Sequence, residues 1–429
     1  MTAAALRDFP ARPGQRIWLY ALGKAAHPMA AAAVATLQRS LLSISGGVIV
    51  STDAAPAPHA TLSALQGNHP LPGRLSFTAA ARIGELAVGM RGDDIAIVLL
   101  SGGASSLIAA PLRGMAEADL GQLFELLLGA GLDICAMNTV RKRFSRWGAG
   151  RLALALAPAR TYAYVISDVI GDAPADIGSG PCTPDATTVR TVLDLLNQSG
   201  LYARISPAMR DYLTGVIRGV TPETPKASHP AFAHVTTRVV GSNRLAVDAA
   251  VAYARSLSLD AEPIAAALEG DAATCGTRVA DALLKRAQEA SPGCIIWGGE
   301  TTVRLSGLPE LPTSRASGGT AALARAEPPR GGRCQELALA AARRLAEAGG
   351  GAGRITILAA GTDGRDGTVD AAGAFADDSI WSAIREGGRD PELALQRHES
   401  HAALAAANAL LPARYTGTNV MDVVIGLVE

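Results

Sequence analysis

The segment Asp94-Ile-Ala-Ile-Val-Leu-Leu100, followed directly by Ser101-Gly-Gly-Ala-Ser-Ser106, decides the fold. An unbroken apolar run after Asp94 predicts a strand buried on both faces, which is typical of a sheet covered by helices. The glycines that follow predict a tight turn whose backbone amides can hold an anion, and the alternative is an ordinary turn with capping serines. The same order of apolar strand, glycine-bearing turn and helix recurs along the chain. It predicts the α/β class, with a mostly parallel sheet in each domain.

Four other predicted strands end in turns of this kind, and each turn carries a polar or charged side chain. A single turn of this kind is most often an ordinary connection between a strand and a helix, but five together predict a ligand site at the strand ends. The four turns are Gly23-Lys24, Ser167 to Asp172, Gly298 to Glu300 and Gly361 to Gly367.

Length and composition limit the classes to which the protein can belong. The 429 residues predict two domains, and a formal net charge of +0 from 39 basic and 39 acidic residues predicts no nucleic-acid or membrane partner. Residues 1–15 have no apolar signal-peptide core, no run suits a membrane span, and the five cysteines show no CxxC spacing. A cytoplasmic protein is the simplest expectation. Three prolines in Thr221 to Pro230 predict a linker, and so domains of residues 1–230 and 231–429.

The stretch Arg330-Gly-Gly-Arg-Cys-Gln-Glu336 predicts a second anion site, because Arg333 opens an apolar helix. Lys24 is either a solvated lysine or a point charge for a transferring phosphoryl group. The aspartates of the turns at 168–172 and 363–370 could hold Mg²⁺ or serve only as turn residues.

Three weaker sequence patterns each have a functional and a structural interpretation. Arg141-Lys-Arg143 is expected to be a solvated face, although it could touch an anion. His398 and His401 have a metal-like spacing but are expected to be exposed. Cys334 could be an activated thiol at a helix start, but without a partner histidine a buried inert cysteine is favoured.

Nine blocks of sequence resemble the glycerate 2-kinase family, the group with a C-terminal MOFRL domain. They run in family order from about residue 18 to the C-terminus. The blocks are Leu22–Ala26, Gly67–Pro70, Leu100–Leu107, Asn138–Lys142, Ser167–Asp185, Gly298–Thr301, Gly331–Leu337, Ala359–Gly367 and Thr416–Val420.

The resemblance implies a Rossmann-like, doubly wound N-terminal domain and a smaller α/β MOFRL-type domain, with the active site in the cleft between them. It implies ATP- and Mg²⁺-dependent phosphorylation of D-glycerate at its 2-hydroxyl, by a monomer or homodimer. Lys24, Arg333 and Asp168 are the expected catalytic residues, and Asp172 and Asp363 the expected metal ligands. The residues expected to bind ATP are Ser101, Gly102, Gly103, Ala104, Ser105, Ser106, Asn138, Gly299, Glu300, Glu336 and Thr362.

The chain departs from the family pattern at four positions: Gly148, Cys182, His229 and Cys334 stand where a lysine, a threonine, an acid and an amide are usual. These changes bear on the substrate more than on the fold. Two other functions stay open. One is a hydroxypyruvate reductase, for which no G-x-G-x-x-G fingerprint follows a strand. The other is a ligand-binding homologue without catalysis.

Overall fold

The computed structural model describes residues 1–7, 9–12, 14–289, 291–305, 330–349 and 354–429. These residues form two units. The first comprises Met1–Ser242 and Gly417–Asn419, and the second comprises Asn243–Thr416 and Val420–Glu429. Among the described residues, no helix is both long enough and apolar enough to cross a membrane.

The sheet of the first unit has six strands, all paired in parallel. Its central strand is the apolar segment that follows Asp94, and all six residues of this strand are buried. The strands are β1 (Ile17–Leu22), β2 (Ile44–Ser51), β3 (Leu62–Gln66), β4 (Ile95–Leu100), β5 (Arg160–Ile166) and β6 (Val235–Gly241).

The strand order β3-β2-β1-β4-β5-β6 explains where a ligand can bind. This is the doubly wound order, and the direction of winding reverses between β1 and β4. The turns that leave two neighbouring strands at such a switch point run to opposite faces, so a crevice opens outside their carboxyl ends. Gly23-Lys24 follows β1 and Ser101–Ser106 follows β4, so both lie at the switch point.

Helices cover this sheet, and their buried faces are rich in alanine, leucine and valine. Two of these helices are separated only by the short segment Ser145 to Gly150. The helices are α1 (Thr2–Ala5), α2 (Ala26–Arg39), α3 (Arg74–Ala87), α4 (Ala104–Leu107), α5 (Glu117–Leu128), α6 (Ile134–Phe144), α7 (Arg151–Leu156), α8 (Val189–Gln198) and α9 (Pro207–Ile217), with 3₁₀ turns at Ile177–Ser179 and Pro230–His234.

The proline-rich segment predicted as a linker is instead fixed within the first unit. Glu223 pairs with the fully buried Arg143 of α6, and Thr224 donates to Asp185 at 2.8 Å. The Asp185 carboxylate also pairs with Lys142, Nζ to Oδ1 3.2 Å. Strand β6, which sequence analysis placed after the boundary at residue 230, pairs with β5 and so belongs to the first sheet.

The sheet of the second unit is mainly antiparallel, so the prediction of a mostly parallel sheet in each domain is wrong here. Its order is β12-β11-β10-β13-β9-β7, and β8 also pairs with β9. Only β7 and β8 run parallel to β9. The strands are β7 (Ala261–Pro263), β8 (Leu268–Asp271), β9 (Gly293–Thr302), β10 (Ile355–Gly361), β11 (Ala371–Ala376), β12 (Leu410–Pro412) and β13 (Asp422–Val428).

Two helices form the centre of the second core. The small side chains of α12 let α11 approach closely, and a methyl group at Gly276 of α11 would overlap the Leu337 carbonyl of α12. Residues Cys334 to Ala342 of α12 are buried without a break. The helices of this unit are α10 (Asn243–Ser256), α11 (Ala272–Gln288), α12 (Arg333–Ala348), α13 (Ile380–Glu386), α14 (Pro391–Gln396) and α15 (Ser400–Ala406).

Candidate active site

The two turns at the switch point of the first sheet are bonded to each other. The Lys24 amide donates to the Gly102 carbonyl at 2.9 Å, and the Ala25 amide donates to Ser101 Oγ at 3.0 Å. Gly23 has φ +123°, and a side chain there would overlap Ser101. The Lys24 side chain is therefore held beside the glycine loop, as a preorganised site requires.

The glycine loop, Ser101 to Ser106, touches three of the side chains that surround it. A methyl group at Gly102 would overlap the Asp168 carboxylate, so that carboxylate lies directly on the loop. At Gly103, with φ +81°, a methyl group would lie 3.2 Å from Lys24 Cγ and 3.2 Å from His69 Cδ2. Lys24, Asp168 and the loop, all predicted as site residues, are thus brought together, and His69 is an addition.

The hydroxyl groups and the amides of the glycine loop have different roles. Ser105 Oγ lies 2.7 Å from Ser179 Oγ, and Ser106 Oγ donates to the Gly103 carbonyl at 3.2 Å. Within the described part of the chain, the amides of Gly102, Gly103, Ala104 and Ser105 donate to no backbone or side-chain acceptor. The serines therefore shape the loop, and the amides remain for a ligand.

His69 is exposed, yet its surroundings favour the neutral imidazole. Partial desolvation, the charge of Lys24 and the charge of Arg141 all lower the pKa of His69. The expectation that Arg141-Lys-Arg143 forms a solvated face is wrong, because all three side chains are buried. Desolvation is the largest cause of the lowered pKa of His69, and Lys24 and Arg141 add to it as neighbouring positive charges.

Two other predicted site residues of the first unit lie in or beside the loop that follows β5. The Asn138 side chain donates to the Asp176 carbonyl at 3.0 Å and so holds this loop. Asp172 is half-buried in the loop with φ +54°. The assignments of Asn138 to ATP and of Asp172 to the metal stay predictions.

In the second unit, Arg333 lines a cavity of about 390 Å³ together with Glu300 and Glu336. Its guanidinium group is already paired with two carboxylates. Nε and Nη2 donate to Asp422 at 2.5 and 3.0 Å, and Nη1 lies 2.6 Å from Glu300 Oε1. Asp422 was missed because it begins an otherwise apolar strand, β13.

The pKa values of both members of this ion pair are raised. Burial raises the pKa of Asp422 to about 6, although the bonds from Arg333 oppose the shift. Burial acts to lower the pKa of Arg333, but the bond and charge of Asp422 outweigh it and raise the pKa well above its usual value. Both groups are therefore charged at pH 7, and the pair fixes the direction of the guanidinium fork.

The N-terminus of α12 was predicted to bind an anionic ligand, but it is capped by the carboxylate of Asp366. Asp366 accepts from the amides of Cys334 at 3.0 Å and Gln335 at 2.8 Å, and from Gln335 Nε2 at 2.9 Å. Cys334 is buried, and burial raises the pKa of its thiol well above the usual value, so it is no activated nucleophile.

The two histidines expected to be exposed instead contact α12. His398 Nδ1 lies 2.9 Å from Glu336 Oε1, and His401 Nδ1 lies 3.0 Å from Gln335 Oε1. Glu336 is 3% exposed, and burial raises its pKa against the opposing effect of His398. Glu336 and His398 both line the cavity beside Arg333.

The remaining predicted residues of the second unit hold its backbone together. Gly299 lets β8 and β9 approach, because a side chain there would overlap Leu268. Thr362 Oγ1 donates to the Met421 carbonyl at 2.6 Å, and Asp363 Oδ1 accepts from the Arg365 amide at 2.9 Å. Their roles toward ATP or a metal stay predictions. Across the described residues, no group of three or more His, Cys, Asp or Glu side chains is arranged to hold a metal.

Comparison with known proteins gives two family matches. Residues 2–214 match a domain of unknown function, DUF4147, and residues 293–422 match the MOFRL family.

Similar proteins cover nearly the whole chain. A D-glycerate 2-kinase of Thermotoga maritima is 33% identical, over 96% of this chain and 91% of its own length. A relative from Agrobacterium vitis that carries the name of a putative hydroxypyruvate reductase is 34% identical, over 98% of this chain and 89% of its own length. The crystal structure of a glycerate kinase from Thermotoga maritima matches with a TM-score of 0.82 and 32% identity, over 100% of this chain and 95% of that chain.

Proposed function

The chain belongs to the glycerate 2-kinase family with a C-terminal MOFRL domain, and from this premise we propose that it is an ATP-dependent kinase that phosphorylates D-glycerate at the 2-hydroxyl. The observation that carries the proposal is the switch point of the first sheet. There a lysine and a carboxylate lie against one glycine loop. Four amides of this loop have no acceptor among the described residues. Phosphoryl transfer needs little else from a protein than positioning and charge.

In the proposed mechanism, the amides of Gly102 to Ser105 hold a phosphate of the nucleotide. Lys24 neutralises charge on the transferring phosphoryl group, and its attachment to the loop removes the need for reorganisation. Asp168 orients the 2-hydroxyl of D-glycerate for attack and accepts its proton as the hydroxyl oxygen bonds to the γ-phosphorus and the bond from that phosphorus to ADP breaks.

Arg333 is the second cation that we propose for the transferred phosphoryl group. Two of its five N–H groups donate to Asp422, Nη1 lies 2.6 Å from Glu300 Oε1, and its side chain remains 33% exposed. A phosphate group can therefore replace the half-exposed Glu300 carboxylate at Nη1 while the buried Asp422 keeps the guanidinium group in place.

The carboxylates of Asp168 and Asp172, at the end of β5 and in the loop that follows it, would hold the Mg²⁺ that the family implies. Mg²⁺ in kinases is held by one or two carboxylates together with phosphate oxygens and water, so no larger cluster is needed. When bound, it would neutralise charge on the phosphates.

An enolase-coupled assay tests the proposal. Enolase consumes 2-phosphoglycerate but not the 3-isomer, so ATP, Mg²⁺, D-glycerate and enzyme should yield phosphoenolpyruvate. We expect Lys24→Ala to lower kcat roughly 100-fold or more, because it removes a preorganised charge. Lys285→Ala, which removes an exposed lysine of α11, is the matched control and should keep full activity. Absence of turnover by the wild-type protein would refute the proposal.

The hydroxypyruvate reductase name of one relative defines a second candidate function. The strand order β3-β2-β1-β4-β5-β6 is also that of nicotinamide-binding domains, but β1 leads into Gly23-Lys24 and not into the usual fingerprint. Oxidation of NADH by the purified protein with hydroxypyruvate would favour this candidate.

A further inference from the structure

Arg141 of α6 is a buried cation without a carboxylate partner in the described structure. Its side chain lies over the ring of Phe124 at 4.6 Å, and Nη2 lies 3.9 Å from Met137 Sδ. The residue is 8% exposed, and its buried Nε has no hydrogen-bond partner among the residues that the structure describes.

The next two residues of the same helix show what a structural cation looks like in this fold. Lys142 and Arg143 are also buried, and both pair with Asp185, while Arg143 also pairs with Glu223. Burial of a charge without a counter-ion is costly, and removal of a guanidinium group from water is relieved only by a bound anion or by hydrogen bonds. The first unit thus supplies counter-ions to two of three adjacent cations, which leaves Arg141 available to an external anion.

One chain of contacts and one charge effect relate Arg141 to the glycine loop. Asn138, one turn earlier on the same face of α6, donates to the Asp176 carbonyl, and Ser179 of that segment bonds to Ser105 of the loop. The charge of Arg141 also acts on His69, whose ring lies against Gly103 next to Lys24. Lys24, His69 and Arg141 therefore lie in one neighbourhood, and the Asp168 carboxylate lies against Gly102 of the same loop.

The substrate of the proposed kinase has one anionic group that the proposed mechanism leaves without a partner, namely its carboxylate. A guanidinium group offers two parallel N–H donors that match a carboxylate, and a flat aromatic ring behind it restricts its movement. We propose that Arg141 is the residue that binds the carboxylate of the hydroxy acid, an inference that rests on the proposed function.

Steady-state kinetics of Arg141→Met and Arg141→Lys test the inference, with D-glycerate and ATP varied in turn. We expect KM for D-glycerate to rise roughly 30-fold or more in Arg141→Met, because a buried charge-assisted contact is lost. KM for ATP should stay within about threefold, and Arg141→Lys should recover part of the loss.

Arg146→Met is the matched control, because Arg146 also lies over an aromatic ring, 4.7 Å from the centre of Trp147, but is exposed. An unchanged KM for D-glycerate in Arg141→Met, or a larger rise in KM for ATP than for D-glycerate, would overturn the inference. If Arg141→Met does not fold, Arg141→Lys decides by the same comparison.

Calorimetric titration of D-glycerate separates this inference from the kinase proposal. Wild-type protein that binds D-glycerate, with binding lost in Arg141→Met and kept in Arg146→Met, supports the carboxylate site even if no phosphate is transferred. Wild-type turnover with equal D-glycerate affinity in all three proteins refutes the carboxylate site and leaves the kinase in place.

Discussion

At the scale of single residues, Gly103 links backbone conformation to the position of the proposed catalytic lysine. Its φ of +81° disfavours any other residue, and an added methyl group would lie 3.2 Å from both Lys24 Cγ and His69 Cδ2. We expect Gly103→Ala to destabilise the protein by about 1–2 kcal/mol. It should also lower kcat by roughly tenfold or more, because Lys24 must move. Chemical denaturation and the enolase-coupled assay measure the two effects.

Gly114→Ala is the control for Gly103→Ala, because Gly114 has φ +90° but nothing within 4 Å of an added methyl group. It should show a similar loss of stability with unchanged kcat. Equal losses of kcat in the two variants would contradict a specific link between Gly103 and Lys24.

Asp422 gives a prediction about pH. Its pKa is about 6 in the folded protein against an ordinary value of 3.8, so the folded state holds this proton more tightly. The contribution to stability is therefore fully present below pH 3.8 and is lost as the pH rises through 6. We expect the unfolding free energy of the wild type, minus that of Asp422→Asn, to fall by roughly 1–3 kcal/mol between pH 4 and 6 and to be flat above pH 7.

Urea denaturation of both proteins at a series of pH values measures this difference. Because Asn also removes the ion pair with Arg333, the pH slope of the difference, and not its sign, carries the prediction. A difference that does not change between pH 4 and 6 would contradict it.

At the scale of elements, helix α12 depends on a single distant carboxylate. Asp366 accepts two amide bonds and one side-chain bond at the start of the helix, and all the groups involved are buried. We expect Asp366→Ala to cost roughly 2–4 kcal/mol in unfolding free energy, because buried donors lose their partner. Thermal and chemical denaturation measure the loss.

Asp390 provides a matched cap on the exposed surface. It accepts from the amides of Glu392 and Leu393 at the start of the short helix α14. Asp390→Ala should cost only about 1 kcal/mol. If both variants lose the same stability, the N-terminus of α12 does not depend specially on Asp366.

The sequence could predict strand ends but not strand partners. Apolar runs followed by glycines located the ends of β1, β4, β5 and β10, and the parallel first sheet agrees with the prediction. The turn predicted at Gly298 to Glu300 is wrong, because β9 continues through these residues to Thr302. An apolar run looks the same in a parallel and an antiparallel sheet, so the arrangement of β10 and β13 was not visible. Strand β11, Ala371–Ala376, is short and rich in alanine, which gives no strand signal.

The site shows the same limit. Lys24, Asp168 and the glycine loop lie at strand ends and could be predicted, because position in the sheet decides their role. Arg333 could be predicted, but not its counter-ions, since Asp422 is 89 residues away in the chain. The burial of Arg141 could not be read from a run of charges, because Asp185 and Glu223, the partners of its neighbours, lie far along the sequence.

At the scale of the whole molecule, a net charge of +0 conceals two local imbalances. The neighbourhood of the glycine loop has Lys24 and Arg141 with Asp168. The cavity of the second unit has Arg333 with Glu300 and Glu336, and Asp422 behind it. The first has an excess of positive charge and the second an excess of negative charge.

The negative excess beside Arg333 predicts that nucleotide binding depends on Mg²⁺. Glu300→Gln removes one negative charge, so it should narrow the difference in ATP affinity between Mg²⁺ and EDTA, measured by calorimetry without D-glycerate. Glu347→Gln, at the other end of α12 and exposed, is the control. The prediction fails if Glu300→Gln and wild type show the same ratio of affinities.

The pairing of Arg333 with Glu300 also means that a carboxylate of the chain itself competes with a ligand for the guanidinium group. Any anion that approaches the guanidinium group has to displace a carboxylate that is tethered beside it and therefore present at a high effective concentration. Chloride and other small monovalent anions cannot win this competition at ordinary concentrations, whereas a polyphosphate with several charged groups can. The kinase activity should accordingly resist inhibition by simple salts through Arg333, and Glu300→Gln should make it sensitive to them.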